Sequence, residues 1–301
     1  MAIRLGVSTG FAVNRYAEPQ EWARVIRESG IKNIQFTADL LNVSLPESIL
    51  LRQVDLINRA CDDNGLVITS TFTGAFTRVN HLAHPDADIR AYWVDWFKRF
   101  SKLTVDLGAK VMGSHFGIFT MRDDRDLKLR AERRNQNINA WHEVASYAKD
   151  LGLKEILWEP MSISREQGET IPECRRLQDD VNHLAPLPFK ICLDVDHGDL
   201  ASPDPADTNP YAWLEAFASE SPFIHIKQSS ANKGGHWPFI EPYNSDGRIQ
   251  PERVLEVLKK NGATDVELVF ELSFREREPA DRNAPDALRE SCKFWRPYVS
   301  E

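Results

Sequence analysis

Apolar and polar residues follow two rhythms along this chain. In "EPQEWARVIRES" (18–29), "ESILLRQVDLINRACDD" (47–63), "DADIRAYWVDWFKRFSKLTVDL" (86–107) and "LKLRAERRNQNINAWHEVASYAKDL" (127–151), apolar positions recur three and four apart. That spacing predicts amphipathic helices. Between them stand short runs rich in Ile, Val, Phe and Thr, which suit strands buried on both faces. A glycine links the two rhythms at Gly30, Gly65, Gly108, Gly152 and Gly262. Glycine closes a helix because it enters the left-handed conformation without a Cβ penalty.

Helix, glycine and strand, repeated, describe chained βα units. Eight strands are predicted: "IRLGVS", "NIQFTA", "VITSTFT", "KVMGSHF", "EILWEP", "FKICLD", "FIHIKQ" and "VELVFEL". After the sixth strand the helices shorten, and the loop after the seventh is long and polar. Right-handed crossovers between eight parallel strands close most simply into a (β/α)8 TIM barrel, an α/β fold here expected to form one domain over residues 1–301. An open doubly wound sheet would place a glycine-rich phosphate loop after its first strand, and "STGFAVNR" is not GxGxxG.

Composition narrows the function. With 42% hydrophobic and 27% charged residues, the chain is that of a globular enzyme. Its net charge of −8 gives no global attraction to nucleic acid or an anionic membrane surface. Cys61, Cys174, Cys192 and Cys292 form no CxxC pair, so reduced, buried thiols are expected. No apolar run is long enough to span a membrane and the start does not read as a signal peptide, which makes a cytoplasmic location the expectation.

The active sites of such barrels sit at the C-terminal ends of the strands. Read there, strand four offers His115, strand five Glu159, strand six Asp194, strand seven His225 and strand eight Glu271. Taken singly, each would be a solvated loop residue or a helix cap. Together, two histidines and three carboxylates reach one mouth. Glu159 and Glu271 emerge from apolar runs, where an unpartnered buried carboxylate is costly and a shared cation would resolve that cost. Glu159, Asp194, His225 and Glu271 form an oxygen-rich set suited to one divalent ion, Mn²⁺ first, with Mg²⁺, Co²⁺ or Zn²⁺ as alternatives. In "CLDVDHGD", His197 is placed to lean over a bound substrate. Asp196 would orient a ligand histidine or cap a turn, and Asp199 would cap.

The ordered set Glu159 in "LWEP", Asp194 and His197 in "DVDH", His225 in "FIHIKQ" and Glu271 in "VFEL" resembles the xylose isomerase-like TIM-barrel superfamily of sugar and sugar-phosphate isomerases and epimerases. The resemblance spans essentially the whole chain, including the loop and helix in "EPYNSDGRIQPERVLEVL". It implies one divalent ion on those four ligands, with Glu159 and Glu271 also moving protons on opposite faces of a ketose through an enediolate. More narrowly, "WEPMSISRE", "HIKQS" and "HWPF" resemble the tetrulose-phosphate racemase branch of erythritol catabolism. Free-sugar 3-epimerases carry an Asn- and Arg-containing stretch after the histidine, where this chain has "KQSSANKGGHWPF". Lys227, Lys233 and His236, with Arg165 and Arg275, therefore join His115 and His197 as candidate substrate contacts, the cations for a phosphate or carboxylate.

Two further readings use the same site. A sugar-acid or inositol-type isomerase or dehydratase needs the same metal. An endonuclease IV-like phosphodiesterase needs more histidines, and strand three ends "STFTGAF" with none. A metal-free binding barrel would make five strand-end residues a coincidence. Trp93, Trp96 and Phe97 are expected to pack on the barrel, and "RAERRNQN" (130–137) to be a solvated helix face. Trp158 and Trp237 flank the site, and "DRDLKLRAERR" is a candidate contact in a homo-oligomer.

Overall fold

Strands that are apolar on both faces need cover on both, and here they obtain it by closing into a ring surrounded by helices. The computed structural model describes residues 2–78, 80–230 and 233–300, with Lys233 described by its backbone alone. The ring strands are β1 (Ala2–Ser8), β2 (Asn33–Thr37), β3 (Val67–Phe72), β4 (Val111–His115), β5 (Glu155–Glu159), β6 (Phe189–Asp194), β7 (Phe223–Ile226) and β10 (Asp265–Phe270). They form a closed barrel in the order β1-β10-β7-β6-β5-β4-β3-β2, and every pairing in it is parallel. The predicted (β/α)8 barrel is the observed fold.

The helices are α1 (Pro19–Ser29), α2 (Glu47–Asn64), α3 (Ala87–Asp106), α4 (Met121–Arg125), α5 (Leu127–Asp150), α6 (Ile171–Asn182), α7 (Pro210–Phe217), α8 (Pro251–Lys260) and α9 (Ala284–Trp295). Helix α1 shows the local logic. Glu18 and Glu21 form a capping box at its start with Pro19 in the first turn, Trp22 and Ile26 are buried, and Gly30 stops it at φ 84°. Gly65, Gly108, Gly152 and Gly262 also have positive φ, as the glycine rhythm predicts. Trp96 and Phe97 on α3 are buried and Trp93 packs against the same core. Burying side chains of this size contributes ~1.5–3 kcal/mol each.

Two expectations are corrected. The seventh barrel strand stops at Ile226 rather than running on to Gln228; the chain turns away there and forms an antiparallel hairpin, β8 (Gln228–Ser230) with β9 (Lys233–Trp237). The "RAERRNQN" face of α5 is not solvated throughout. Arg133 and Arg134 are nearly buried and Asn137 fully so. Arg133 pairs with Asp123 at 3.1 Å and Arg134 with Glu173 at 2.8 Å, while Asn137 donates to the Phe116 carbonyl at 3.0 Å. Their charges are tolerated inside because each meets a partner from a neighbouring loop or helix.

Inside the ring, Phe72, Leu157, Cys192, Phe223 and Val269 form an apolar layer. It lies between the mouth and Glu267, a buried carboxylate low in β10. A Cβ on Gly6 would stand 2.3 Å from Glu267 Oε1, so the neighbouring strand must offer a glycine there.

Candidate active site

The apolar layer supports the polar groups above it. The Phe72 ring meets the His225 ring edge to face at 5.3 Å and the His115 ring at 6.0 Å. Glu159 ends β5, Asp194 ends β6, His225 is the third residue of β7, and Glu271 directly follows β10. Register aligns His115 with Glu159 and Asp194 with His225. Glu159, Asp194, His225 and Glu271 each bring one ligand atom to a group in which all four lie within 4.8 Å of one another.

The surroundings orient these groups. His225 Nε2 lies 2.7 Å from Gln35 Oε1, and a proton donated there makes Nδ1 the nitrogen that can give up its proton to a cation. Nδ1 faces the carboxylates, 3.1 Å from Glu159 Oε1 and 3.7 Å from Glu271 Oε2. Asp194 Oδ1 accepts the Asp196 backbone N–H at 2.7 Å, so the turn leaving β6 fixes its carboxylate. Lys227 is fully buried, and its Nζ contacts Asp194 Oδ2, Glu271 Oε2 at 2.8 Å and His236 Nδ1 at 3.0 Å.

Electrostatics follow from these contacts. Burial pushes the Glu159 carboxyl up, but the His225 charge and the contacts from His115 and His225 outweigh it and hold the group well below the usual carboxylate range. Glu271 is likewise held low against burial, first by Lys227 and then by His225 and His236. Both carboxylates are ionised at neutral pH and can bind a cation or accept a proton.

The residues fit a divalent ion. Three carboxylates and one imidazole whose Nδ1 proton a cation can displace are a hard, mixed O/N donor set. Glu159 Oε2 is buried without a hydrogen bond among the described residues; the His115 Nε2 lies 3.1 Å away but out of hydrogen-bonding alignment. A buried carboxylate oxygen without a hydrogen bond is only partly satisfied by an imidazole nearby, and a shared cation would satisfy it. Glu159, Asp194, His225 and Glu271 can therefore hold a divalent metal.

Above the cluster opens a cavity of about 480 Å³, within the range of small-molecule sites. His115, His197 and His236 line it together with Glu159, His225 and Glu271. His197 Nδ1 lies 2.9 Å from the Pro160 carbonyl, which turns Nε2 toward Asp194, 3.7 Å from Oδ2. Arg165 and Arg275 are not among the lining residues; Arg165 donates to the Phe119 carbonyl at 3.3 Å and Arg275 is exposed. The Lys233 side chain lies outside the described residues. Trp158 is core, donating to Gln178 Oε1 at 2.7 Å, and Trp237 stacks on Tyr243 away from the cavity lining.

A family model described as a xylose isomerase-like TIM barrel matches residues 23–298. The chain belongs to this family. It is 44% identical to the D-erythrulose 1-phosphate 3-epimerase of Brucella abortus, over 99% of this chain and 97% of that one. That makes this xylose isomerase-like barrel an enzyme of the sugar epimerase and isomerase group. Among solved structures, a Rhodospirillum rubrum protein named provisionally as a xylose isomerase superposes with a TM-score of 0.88 at 24% identity, covering 99% of this chain and 100% of that one. A D-psicose 3-epimerase crystallised with D-fructose gives 0.70 at 15% identity, with both chains fully covered. At those identities the two structures show the shared fold.

Several members of the site in this family barrel are absent from the sequence-level reading. Gln35 is one; its signal was a single amide, mid-strand in "NIQFTA", on a strand searched only for acids and histidines. Arg78 lines the cavity and is gripped by both Glu166 oxygens, at 2.7 and 2.8 Å. Asp39, on the loop after β2, holds the next loop through the backbone N–H groups of Phe76 and Thr77, each at 2.9 Å. Asp196 meets no histidine. It takes Arg248 Nη2 at 2.6 Å and the Gly235 N–H at 3.1 Å, tying the β8–β9 hairpin to the end of β6. Asp199 accepts the Ala201 N–H at 2.8 Å, as a turn cap does.

Proposed function

We propose that the protein is a 3-epimerase of a ketose phosphate, with D-erythrulose 1-phosphate as the first substrate to test. The observation that carries the reaction is the approach of two ionised glutamates, Glu159 and Glu271, to one four-ligand cluster from strands on different sides of the barrel mouth. The substrate follows the Brucella relative, which shares 44% of its residues across nearly its full length.

A divalent cation, Mn²⁺ as the first candidate, would supply positive charge beside the ketose oxygens and so ease loss of the proton on C3, the carbon next to the carbonyl. The chain's own residues do the rest. One glutamate takes the C3 proton as a base. The other, once it has taken up a proton from solvent or from the first, delivers that proton to the opposite face of the same carbon. Any proton still held by the first is released to solvent, so both end the cycle ionised as they began. Inversion calls for two groups, because a single base would return the proton to the side it left. His115 and His197 line the cavity where they can hold substrate oxygens, and His197 is kept in place by the Pro160 carbonyl.

Deuterium wash-in from D₂O over a panel of ketoses and ketose phosphates tests this. Exchange at C3 of a tetrulose phosphate, with appearance of its epimer, is the expected result. Exchange at C1 would instead make the protein an aldose–ketose isomerase. Equal rates with and without phosphate would remove the sugar-phosphate assignment.

A further inference from the structure

Three of the four candidate ligands are carboxylates, so with the imidazole neutral, as metal binding requires, the ligand set carries a charge of −3. One divalent ion leaves −1. The Lys227 ammonium sits directly against this set, on Asp194 Oδ2 and, at 2.8 Å, on Glu271 Oε2, and is shielded from water. These carboxylates belong to different strand ends, β6 and β10, and Lys227 bridges them from just beyond β7. The ammonium is not placed for substrate: Lys227 does not line the cavity, and its Nζ also contacts His236 on the hairpin.

We propose that Lys227 is a resident counter-cation of the centre, a positioning residue that neutralises its third carboxylate, holds Asp194 and Glu271 in register, and limits the centre to one divalent ion. The inference rests on the reading that Glu159, Asp194, His225 and Glu271 hold such an ion. With Lys227 the loaded centre closes at zero net charge. An anionic ketose phosphate then meets no net repulsion, and moving a proton from carbon to a glutamate leaves the total unchanged. Lys227 also opposes metal entry, since an ammonium a few ångströms from a divalent ion repels it in a poorly screened interior. A lysine that served only as a structural ion pair would act in the reverse sense: its loss would disorder Asp194 and Glu271 and weaken metal binding.

The sign of the change in metal affinity decides between these. Wild-type protein and K227M, stripped with chelator and checked for native circular dichroism, are titrated with Mn²⁺ by calorimetry, with metal content measured at saturation. Wild type should take one ion per chain. K227M should bind Mn²⁺ at least tenfold more tightly and show a larger Mn²⁺-induced rise in Tm. Unchanged or weaker binding by folded K227M overturns the inference, and so does a second Mn²⁺ in the wild-type centre. K227Q, which keeps a polar end without the charge, carries the same comparison if K227M does not fold. A wild type that takes up no divalent ion would overturn the metal reading itself, a result distinct from one bound ion with no tightening in the variant.

Discussion

Glu271 and Glu267 stand four residues apart along one strand and its extension, yet the barrel treats them in opposite ways. Glu267 is 2% exposed in the lower half of the ring, and its carboxyl accepts a hydrogen bond from the Thr69 hydroxyl at 2.9 Å. Burial raises its carboxyl from 4.5 to about 7, and the Thr69 bond offsets only part of that. At the mouth, Glu159 is buried just as deeply, at 1%, and is held well below its ordinary value. Equal burial with opposite outcomes shows that burial does not set the charge state here; the partners do. His225, His115, Lys227 and His236 are concentrated at the mouth, and the floor has a hydroxyl. Thus the ring separates a reactive, ionised end from a neutral, supporting one, with the Phe72–Leu157–Cys192–Phe223–Val269 layer between them.

The largest effect should come from removing the charge at the mouth. E159Q and E271Q keep shape and hydrogen-bonding capacity but not basicity, and each should lower turnover by about 10³-fold or more. Steady-state epimerisation and C3 deuterium exchange, measured on protein with native circular dichroism, check this. If either variant retains a substantial fraction of wild-type turnover, the two-glutamate scheme fails and the contrast between the two ends loses its functional meaning.

At the floor the same substitution should do the reverse and help. The folded state keeps Glu267 protonated up to a pH near 7, whereas the unfolded chain ionises near 4.5. Between those values the folded state binds the extra proton, so stability is fully present below the lower value and is lost as pH rises through the upper one. The loss amounts to about 3 kcal/mol. E267Q cannot titrate. Unfolding free energies from urea titration should therefore match wild type more closely at pH 5 and exceed it by up to that amount at pH 8. An offset that is the same at both pH values would mean that Glu267 is not the neutral carboxyl described.

The fold was legible because its signals are local. Strands apolar on both faces and glycines at helix ends are visible within a dozen residues. The cluster of Glu159, Asp194, His225 and Glu271 was visible because a barrel directs strand ends to one place, so position in the repeat stands in for position in space. What was hidden depends on contacts between distant segments. Lys227 reads as a loop cation beside "HIKQ", but the strand ends one residue before it and the side chain folds back onto Asp194 and Glu271. The hairpin has only three and five residues in its strands, and it is held by Asp196 and Arg248 from elsewhere. Arg165 and Arg275 lie close to ligands in sequence, but nearness along a loop does not fix direction. Glu267 alternates with Val269 and Glu271 on the inward face, and no pattern tells a buried neutral carboxyl from an ionised one.

The smallest expected effect concerns the orientation of His225, the imidazole of the four-residue cluster. Gln35 Oε1 is 2.7 Å from His225 Nε2, the contact that reserves Nδ1 for the carboxylate side. Cys192 Sγ is also near, at 3.3 Å from Nε2, and burial pushes its thiol up, so it remains a neutral, weak partner. Q35L removes the amide acceptor while filling similar volume. Metal-bound histidines depend on such a partner for ring orientation and basicity, and its loss typically costs 10–100-fold in metal affinity. Calorimetry with Mn²⁺ should show a weakening in that range with stoichiometry unchanged, the opposite direction to that expected for K227M. If Q35L binds Mn²⁺ as tightly as wild type, packing against Phe72 alone fixes the ring, at 5.3 Å and 74° between planes. The mouth would then owe its order to the apolar layer beneath it and not to the polar contacts that set it apart from the floor.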